Sequence, residues 1–157
     1  MAPQLWLLRH GEAVPHESKP DADRELTARG ERQALAAGRG LARLGVEFAA
    51  CYTSPKVRAR DTARLACAAL NIEPVVAESL ENGFERDDAL ELLMGHEEDA
   101  RVLAVGHEPS FSQVIHDLTG ARIDFKKGGV AAVRVQRGSG ELLLLLRPRE
   151  LESLALG

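Results

Sequence analysis

Leu5-Trp6-Leu7-Leu8-Arg9-His10-Gly11 is the stretch that constrains the fold most strongly. Its first four residues form an uninterrupted apolar run, the pattern expected of a strand buried on both faces of a parallel sheet. A second run of this kind, Val102-Leu103-Ala104-Val105, predicts another central strand. Each run passes directly into a polar segment that contains a histidine. The sequence therefore predicts two buried strands that each end at a polar site.

Outward from these runs, helical and strand patterns alternate along the chain. Apolar spacing between Ala34 and Gly45 predicts a first long helix with Thr27 as its N-cap. A second helix is expected to open at Ser54-Pro55, with the proline at its first position, and to run to about Asn71. The remaining predicted elements are strands over 48–52 and 74–76, helices over 87–94 and 109–118, and a hairpin of 130–135 and 142–146 around a turn at Gly138-Ser139-Gly140.

This alternation predicts the fold class. Strands that alternate with helices are typical of an α/β protein, here a three-layer α-β-α sandwich with a mainly parallel central sheet and an antiparallel hairpin near the C-terminus. The 157 residues, 45% of them hydrophobic, suffice for a core, so residues 1–157 are expected to form a single domain. Gly38-Arg39-Gly40 inside the first helix is interpreted as a site of close helix packing.

Charge and composition narrow the classes of partner. A formal net charge of −4 gives no overall attraction to nucleic acid or to an anionic membrane, so neither is predicted as a partner. The longest aliphatic run, 142–146, is far shorter than the roughly 20 residues of a spanning helix. Cys51 and Cys67 are too few for a disulfide framework, and no export signal is evident. We therefore expect a cytoplasmic protein that captures anions locally.

Three polar motifs each begin where a predicted strand ends. They are Arg9-His10-Gly11, Ser54-Pro55-Lys56-Val57-Arg58 and Gly106-His107-Glu108-Pro109. Because the carboxyl ends of parallel strands meet at one edge of a sheet, where open α/β folds bind ligands, the three motifs are expected to share one pocket.

The residue types in these motifs suit phosphoryl transfer. A histidine with one ring nitrogen fixed as a donor presents the other as a neutral nucleophile, so His10 is the candidate phosphoryl acceptor. Arg9, Arg58 and His107 can donate hydrogen bonds to the phosphate oxygens, and Gly11 is expected to contact the substrate with them. A phosphate or sulfate ion is expected to fit this pocket. Separately, each residue also has an ordinary structural interpretation: a polar strand exit, a solvated helix arginine or a loop histidine.

Other polar residues are interpreted more simply. His16, His96 and His116 have no ligand-like spacing with one another or with the cysteines, so no metal and no cofactor are predicted. Lys126 and Lys127 are interpreted as a solvated pair, with the alternative that they border the pocket or guide an acidic partner. Asp21, Arg24 and Thr27 are expected to brace the first helix rather than to shape the rim of the pocket.

The three motifs together carry a family resemblance. The segments Leu8-Arg9-His10-Gly11-Glu12-Ala13, Thr53-Ser54-Pro55-Lys56-Val57-Arg58-Ala59-Arg60-Asp61-Thr62-Ala63 and Val105-Gly106-His107-Glu108-Pro109 resemble the histidine phosphatase superfamily, branch 1, whose members have a phosphoglycerate mutase-like fold. The short chain, the Arg-His-Gly-Glu-Ala opening and the segment from Asp21 to Gly30 look most like the SixA-type phosphohistidine phosphatases. The resemblance implies that Arg9, His10, Arg58 and His107 form the phosphate pocket, with His10 transiently phosphorylated.

The chain departs from the larger superfamily members in its proton donor. Those that cleave phosphate esters carry an acid after the third strand, because an alkoxide leaves poorly without a proton. Five acidic residues follow the third predicted strand, and none lies in a motif that can be aligned: Glu78, Glu81, Glu85, Asp87 and Asp88. The simpler interpretation is that they are solvated or cap a helix. The sequence therefore does not identify which residue, if any, is the proton donor. The resemblance and the short loops predict a hydrolase that acts on phosphohistidine in a protein. A phosphorelay component is the expected class of substrate protein.

Three alternatives stay open at this point. One is a phosphomonoesterase acting on a small phosphorylated metabolite. Another is a non-catalytic module that binds a phosphorylated ligand. A mutase is less favoured, because rephosphorylating a substrate before water attacks requires an enclosed pocket, which this short chain gives no sign of.

Overall fold

The computed structural model describes residues 2–157 as an alternation of strands and helices. Within these residues the strands are β1 (Gln4–Arg9), β2 (Ala50–Thr53), β3 (Pro74–Val76), β4 (Arg101–Gly106), β5 (Val130–Gln136) and β6 (Ser139–Leu146). The helices are α1 (Ala28–Arg43), α2 (Val57–Leu70), α3 (Arg86–Leu93), α4 (Ser110–Thr119) and α5 (Pro148–Leu156). Short 3-10 turns cover Asp21–Asp23 and Glu78–Leu80.

The strands form one mixed sheet in the order β3-β2-β4-β1-β5-β6. The first four strands in this order are parallel to one another. β5 runs antiparallel to β1, and β6 runs antiparallel to β5. The predicted fold class, a mainly parallel α/β sandwich with an antiparallel hairpin near the C-terminus, is confirmed.

Helices cover both faces of this sheet, which explains the unbroken apolar run in β1. Leu5 and Leu7 point into a core shared with Phe111 of α4, whereas Trp6 and Leu8 point into a second core shared with Leu41 of α1. Successive side chains of a strand point to opposite faces. A strand with a helical layer on each side must therefore be apolar at every covered position, as residues 5–8 of β1 are.

α1 packs closely against two other helices through its glycines. A β-carbon on Gly38 would lie 2.3 Å from the carbonyl oxygen of Ala66 in α2, and one on Gly40 would lie 3.0 Å from that of Leu151 in α5. The interpretation of Gly38-Arg39-Gly40 as a packing site is thus confirmed. The C-terminal helix α5 was absent from the sequence prediction, although Pro148 at its first turn is a helix-start signal.

Two predicted boundaries are wrong. The second helix begins at Val57 with Lys56 as its N-cap, not at Ser54-Pro55. The backbone N–H of Ser54 still donates to Val105 of β4 at 3.0 Å, so the chain stays at the sheet edge for two more residues. The hairpin turn is Arg137-Gly138, not Gly138-Ser139-Gly140; both residues have positive φ, as a two-residue turn that follows the sheet twist requires.

No helix within residues 2–157 combines the length and the apolar character needed to cross a membrane.

Candidate active site

The sheet order brings the three polar motifs to adjacent strand ends. β1, β4 and β2 are neighbours, with Arg9 paired to Gly106 and Thr53 paired to Val105. The residues that follow each strand therefore stand side by side at one edge of the sheet. The rings of His10 and His107 lie 5.2 Å apart between centroids. Both histidines and Arg58 are at least nine-tenths buried.

Hydrogen bonding fixes the His10 ring in one tautomer. Its Nδ1 lies 2.7 Å from the carbonyl oxygen of Gly11. Since a carbonyl only accepts, Nδ1 must carry the proton, and Nε2 is left with a free lone pair. No side-chain or backbone group within residues 2–157 hydrogen bonds to Nε2. The ring is thus oriented as a nucleophile rather than as an acid.

Gly11 is held tightly behind the nucleophile. Its backbone N–H donates to Thr62 Oγ1 of α2 at 3.1 Å, and that hydroxyl donates to the Arg58 carbonyl at 2.7 Å. A β-carbon at Gly11 would lie 2.5 Å from the carbonyl oxygen of Gly30, a contact no side chain could relieve. The close approach of α1 therefore requires a glycine at position 11, whose own carbonyl orients the His10 ring.

Both arginines are anchored through terminal nitrogens of the guanidinium, and Arg58 uses both of them, because its Nη2 also donates to Asp21 Oδ2 at 3.3 Å. Arg9 Nη1 donates to the carbonyl oxygen of Phe125 at 2.7 Å, and Arg58 Nη1 donates to that of Asp21 at 2.7 Å. Each anchor restricts the rotamers of a long side chain before any ligand binds. The remaining N–H groups of the fork are then preorganised for an anion.

His107 is oriented by Ser54, at the end of the neighbouring strand β2. The distance between His107 Nε2 and Ser54 Oγ is 2.8 Å. The same hydroxyl oxygen accepts the backbone N–H of Lys56 at 3.2 Å, which leaves its proton free for the imidazole. When Nε2 accepts that proton in a hydrogen bond, Nδ1 of the neutral ring carries the N–H.

Three buried nitrogens at this strand edge lack a hydrogen-bond partner within residues 2–157: Arg9 Nε, Arg58 Nε and His107 Nδ1. They are the full set of fully buried side-chain N and O atoms in that range without one. Buried polar groups are normally paired, and leaving one unpaired costs about 1–3 kcal/mol. Their concentration around one nucleophile indicates a site built to receive an oxyanion.

Burial sets the charge of the two histidines. Desolvation lowers the pKa of His10 from 6.5 to about 3, and the neighbouring His107 ring and the charges of Arg58 and Arg9 oppose protonation further. Burial lowers the pKa of His107 to about 3 as well, with Arg58 the next largest cause. Both rings are therefore neutral near pH 7. Burial also lowers the pKa of Arg9 and of Arg58 below the ordinary value of a guanidinium, so an incoming anion relieves two desolvated cations.

Comparisons with known proteins show the family and the fold of the chain. A family model described as the histidine phosphatase superfamily (branch 1) matches residues 5–85, just over half of the chain. The chain belongs to this superfamily. A curated but uncharacterized protein of Picosynechococcus sp. is 33% identical to this superfamily member over 160 aligned residues, which cover 93% of this chain and 97% of the relative.

Solved structures of the superfamily share the fold. The protein histidine phosphatase SixA complexed with tungstate superposes with a TM-score of 0.84 at 24% identity, covering 94% of this chain and 99% of that one. A putative SixA from Agrobacterium tumefaciens gives a TM-score of 0.80 at 24% identity with the same coverage. A putative alpha-ribazole-5'-P phosphatase from Escherichia coli gives 0.78 at 22%, covering 94% and 98%. Fold likeness at this identity leaves the substrate open.

Sequence reasoning missed several residues of this superfamily site. Ser54 was expected to cap a helix, yet its hydroxyl holds His107. Asp21 was expected to brace α1, but its carboxylate accepts from Lys56 Nζ at 2.9 Å and its carbonyl accepts from Arg58. Hydrogen bonds from Lys56 and Arg24, with the charge of Arg58, hold the pKa of the Asp21 carboxyl well below its ordinary value. Thr27 caps α1 as predicted, accepting from Gly30 N at 3.1 Å.

The acidic segment after β3 contributes no carboxylate to the hydrogen bonds of the site. Glu85 and Asp88 form the capping box of α3. This segment contacts the candidate site through the side-chain amide of Asn82, whose Oδ1 accepts a hydrogen bond from Lys56 Nζ at 3.0 Å. Glu78 is exposed. A proton donor among these residues therefore has no structural support.

The two buried histidines make the stability of this fold sensitive to mild acid. Their folded pKa values, about 3, lie below the ordinary 6.5, so on acidification the unfolded chain binds protons that the folded chain does not. Stability is then lost as the pH falls from about 6.5 towards 3. We expect the free energy of unfolding to fall by about 2 kcal/mol per histidine between roughly pH 7 and pH 5.

Denaturant titrations at the two pH values measure this change. Between pH 5 and pH 7 Asp21 stays ionised in both states, so its own loss of stability, which has the same sign but occurs at lower pH, does not interfere. His107→Gln should remove about half of the pH dependence, and His116→Gln, at an exposed position of α4, should leave it intact. A pH dependence unaffected by His107→Gln would contradict the assignment.

Proposed function

We propose that this chain is a phosphatase that removes the phosphoryl group from phosphohistidine in a protein, by way of a phosphorylated His10. The observation that carries the proposal is the His10 ring: Nδ1 is bound to the Gly11 carbonyl, and Nε2 is free in a cluster with three unpartnered buried donors. Superfamily membership supports a phosphatase, and the likeness to SixA structures supports this substrate class.

In the first step the lone pair of His10 Nε2 attacks phosphorus and the P–N bond of the substrate breaks. The phosphohistidine of the substrate, protonated on its other ring nitrogen, leaves as neutral imidazole. His10 in turn becomes a phosphorylated imidazolium, whose Nδ1–H is held by Gly11 O. Nucleophile and leaving group are the same chemical group, so charge balances with no proton transfer. An ester would instead expel an alkoxide and need an acid.

The donors match the charge of the transferred phosphoryl group. In this scheme Arg9 Nε, Arg58 Nε and His107 Nδ1 donate to the equatorial oxygens, where the negative charge is spread. All three are fixed beforehand, the arginines through Phe125 and Asp21 and the histidine through Ser54. The same donors suit inorganic phosphate or sulfate, and tungstate is bound by a structural relative.

In the second step water attacks phosphorus in line with His10 Nε2. The P–N bond breaks, both hydrogens of the water stay with the phosphate, and His10 returns to its neutral form. The alternative of a metabolite phosphomonoesterase needs an acid, and no carboxylate of the segment after β3 hydrogen bonds to a site residue within residues 2–157. Glu85 and Asp88 cap α3, Glu78 and Asp87 are exposed, and the half-buried Glu81 makes no side-chain hydrogen bond in that range. A cytoplasmic phosphorelay protein is the partner class that this proposal implies.

A leaving-group comparison tests the proposal. Two peptides of the same sequence would carry phosphohistidine or phosphoserine at one position, and phosphate release would be measured for each. We expect kcat/KM to favour phosphohistidine by about 100-fold or more, the usual contribution of a general acid that the serine ester would need. Efficient phosphoserine hydrolysis with phosphohistidine left untouched would overturn the proposal in favour of the phosphomonoesterase.

A further inference from the structure

A groove with a basic lining runs from the candidate active site towards α5. Its volume is about 540 Å³, and six basic side chains line it against two carboxylates, Glu12 and Glu152. The basic residues are Arg9, Arg29, Lys126, Lys127, Arg147 and Arg149. We propose that this basic groove binds an acidic segment of the protein substrate, next to the phosphorylated residue. The inference rests on the proposed function and adds a recognition surface to it.

Arg9 connects the groove to the chemistry. It lines the groove, and it also holds one of the three unpartnered buried nitrogens of the candidate site. A chain whose phosphohistidine reaches His10 is therefore brought next to this groove. Arg39 and Arg64, two of the other exposed basic residues, lie on α1 and α2 outside the groove lining.

The two lysines are held in place by the active-site loop. They lie between α4 and β5, where Gly128 N donates to the carbonyl oxygens of Arg9 at 3.0 Å and His10 at 3.1 Å. On the other side of the lysines, the Phe125 carbonyl accepts from Arg9 Nη1. Both ends of the Lys126-Lys127 pair are thus tied to the nucleophile strand. Their backbone lies at a fixed place relative to His10, so the two exposed ammonium groups stay within one side-chain length of that position.

Part of the positive charge is not neutralised within the chain. Arg29 pairs with Glu12 at 3.4 Å, Lys126 with Asp124 at 2.9 Å and Arg147 with Glu150 at 2.7 Å. Lys127 makes no ion pair within residues 2–157, and Arg149 reaches Glu150 only at 3.9 Å. The formal net charge of the chain is −4, so the cluster of basic side chains in the groove has the opposite sign to the chain as a whole. A local positive potential of this kind favours an acidic ligand.

The lining favours an acidic peptide over a nucleic acid. No aromatic side chain is among the residues that line the groove, so bases would find no stacking surface. The two carboxylates would also repel a continuous phosphate backbone, whereas separate Asp or Glu side chains can reach Lys127 and Arg149 individually. The recognition we infer is therefore electrostatic and directed at a few carboxylates.

Matched phosphohistidine peptides test the groove. One peptide carries four glutamates beside the phosphohistidine and the other carries four glutamines, with the flank placed on either side in separate syntheses. At physiological ionic strength we expect the wild-type chain to favour the glutamate peptide in kcat/KM by about tenfold, mainly through KM. The double variant Lys127→Glu/Arg149→Glu should reduce the ratio to about twofold or less.

The control is Arg39→Glu/Arg64→Glu, which makes the same charge change on exposed residues outside the groove and should keep the preference. Because the readout is a ratio, a general loss of activity cancels. The inference is overturned by equal turnover of the two peptides, by a preference that survives Lys127→Glu/Arg149→Glu, or by a preference that the control abolishes equally.

A binding measurement separates this inference from the proposed function. Fluorescence anisotropy of the same peptides without phosphate should show tighter binding of the glutamate peptide, lost in Lys127→Glu/Arg149→Glu. If neither phosphopeptide is hydrolysed, the proposed function fails, and this binding difference still decides for or against the groove. A single-stranded oligonucleotide of equal charge that binds as tightly as the glutamate peptide would overturn the choice of an acidic peptide.

Discussion

His10→Ala should lower kcat on a phosphohistidine peptide by about 10⁴-fold or more, because removing a nucleophile that forms a covalent intermediate eliminates both chemical steps. Phosphate release under single-turnover conditions measures the loss. His116→Ala is the matched control: this histidine is exposed on α4 and should give wild-type rates. If His10→Ala and His116→Ala have similar turnover, the nucleophile is another residue.

The His10→Ala variant should still bind a phosphate analogue. Arg9, Arg58 and His107 keep their anchors in this variant, since none of those anchors involves His10. Tungstate binding, measured by calorimetry, should therefore persist while turnover is lost. Loss of both would point to a damaged site and not to a missing nucleophile. A wild-type chain that binds tungstate but never releases phosphate would instead be a non-catalytic binding module.

Arg58→Ala should reduce kcat/KM by about 10²–10³-fold, the usual effect of removing one preorganised donor to a charged transition state. Tungstate binding should weaken in parallel, because Arg58 Nε is one of the three unpartnered donors. Enzyme kinetics and calorimetry on the same preparations measure the two losses. Unchanged kinetics would exclude Arg58 from the phosphate site.

Two variants separate the chemistry of Arg58 from its structural role. Arg64→Ala removes an exposed arginine from the same helix and should leave the rate unchanged. Arg58→Lys keeps the charge but loses the planar fork, so we expect an intermediate rate. The three donors of an ammonium share one nitrogen and cannot reproduce the separate positions from which Arg58 holds the Asp21 carbonyl and faces the phosphate. If Arg58→Lys were as inactive as Arg58→Ala despite a wild-type melting temperature, geometry would outweigh charge.

The buried strands were the most predictable part of the fold. In β1 and β4 the central residues 5–8 and 102–105 alternate between two apolar cores, which is why each of these stretches is an unbroken apolar run. Strand order is different, because it depends on which helices cross which face. It was nonetheless the order β2-β4-β1 that brought the three motifs together. The expectation of a shared pocket came from a general property of parallel sheets, and the strand order supplied its geometry.

Residues that act across long sequence separations could not be predicted individually. The hydrogen bonds between Ser54 and His107 and between Arg58 and Asp21 join residues far apart in the chain. The sequence around a serine or an aspartate does not indicate such a distant partner. Ser54-Pro55 in fact resembles a helix start, which explains the misplaced boundary of α2. The missed helix α5 is a different case, because the sequence contains a helix-start signal in Pro148 and an apolar residue, Leu151, which the structure buries.

The proposed substrate follows from balance of charge rather than from pocket shape. Transfer between two imidazoles needs no acid, and the structure provides none among the hydrogen bonds of the site. The basic groove adds a reason why a protein, rather than free phosphohistidine, would be the better substrate. Both ideas depend on one covalent intermediate.

Trapping that intermediate is the most direct test. Wild-type chain mixed with a phosphohistidine peptide and quenched rapidly in alkali, which preserves the P–N bond, would be digested and examined by mass spectrometry. We expect one added phosphoryl group on the peptide that contains His10, labile to acid and absent in His10→Ala. Phosphate release without a phosphoryl group on His10 at any quench time, or with that group on another residue, would contradict the account.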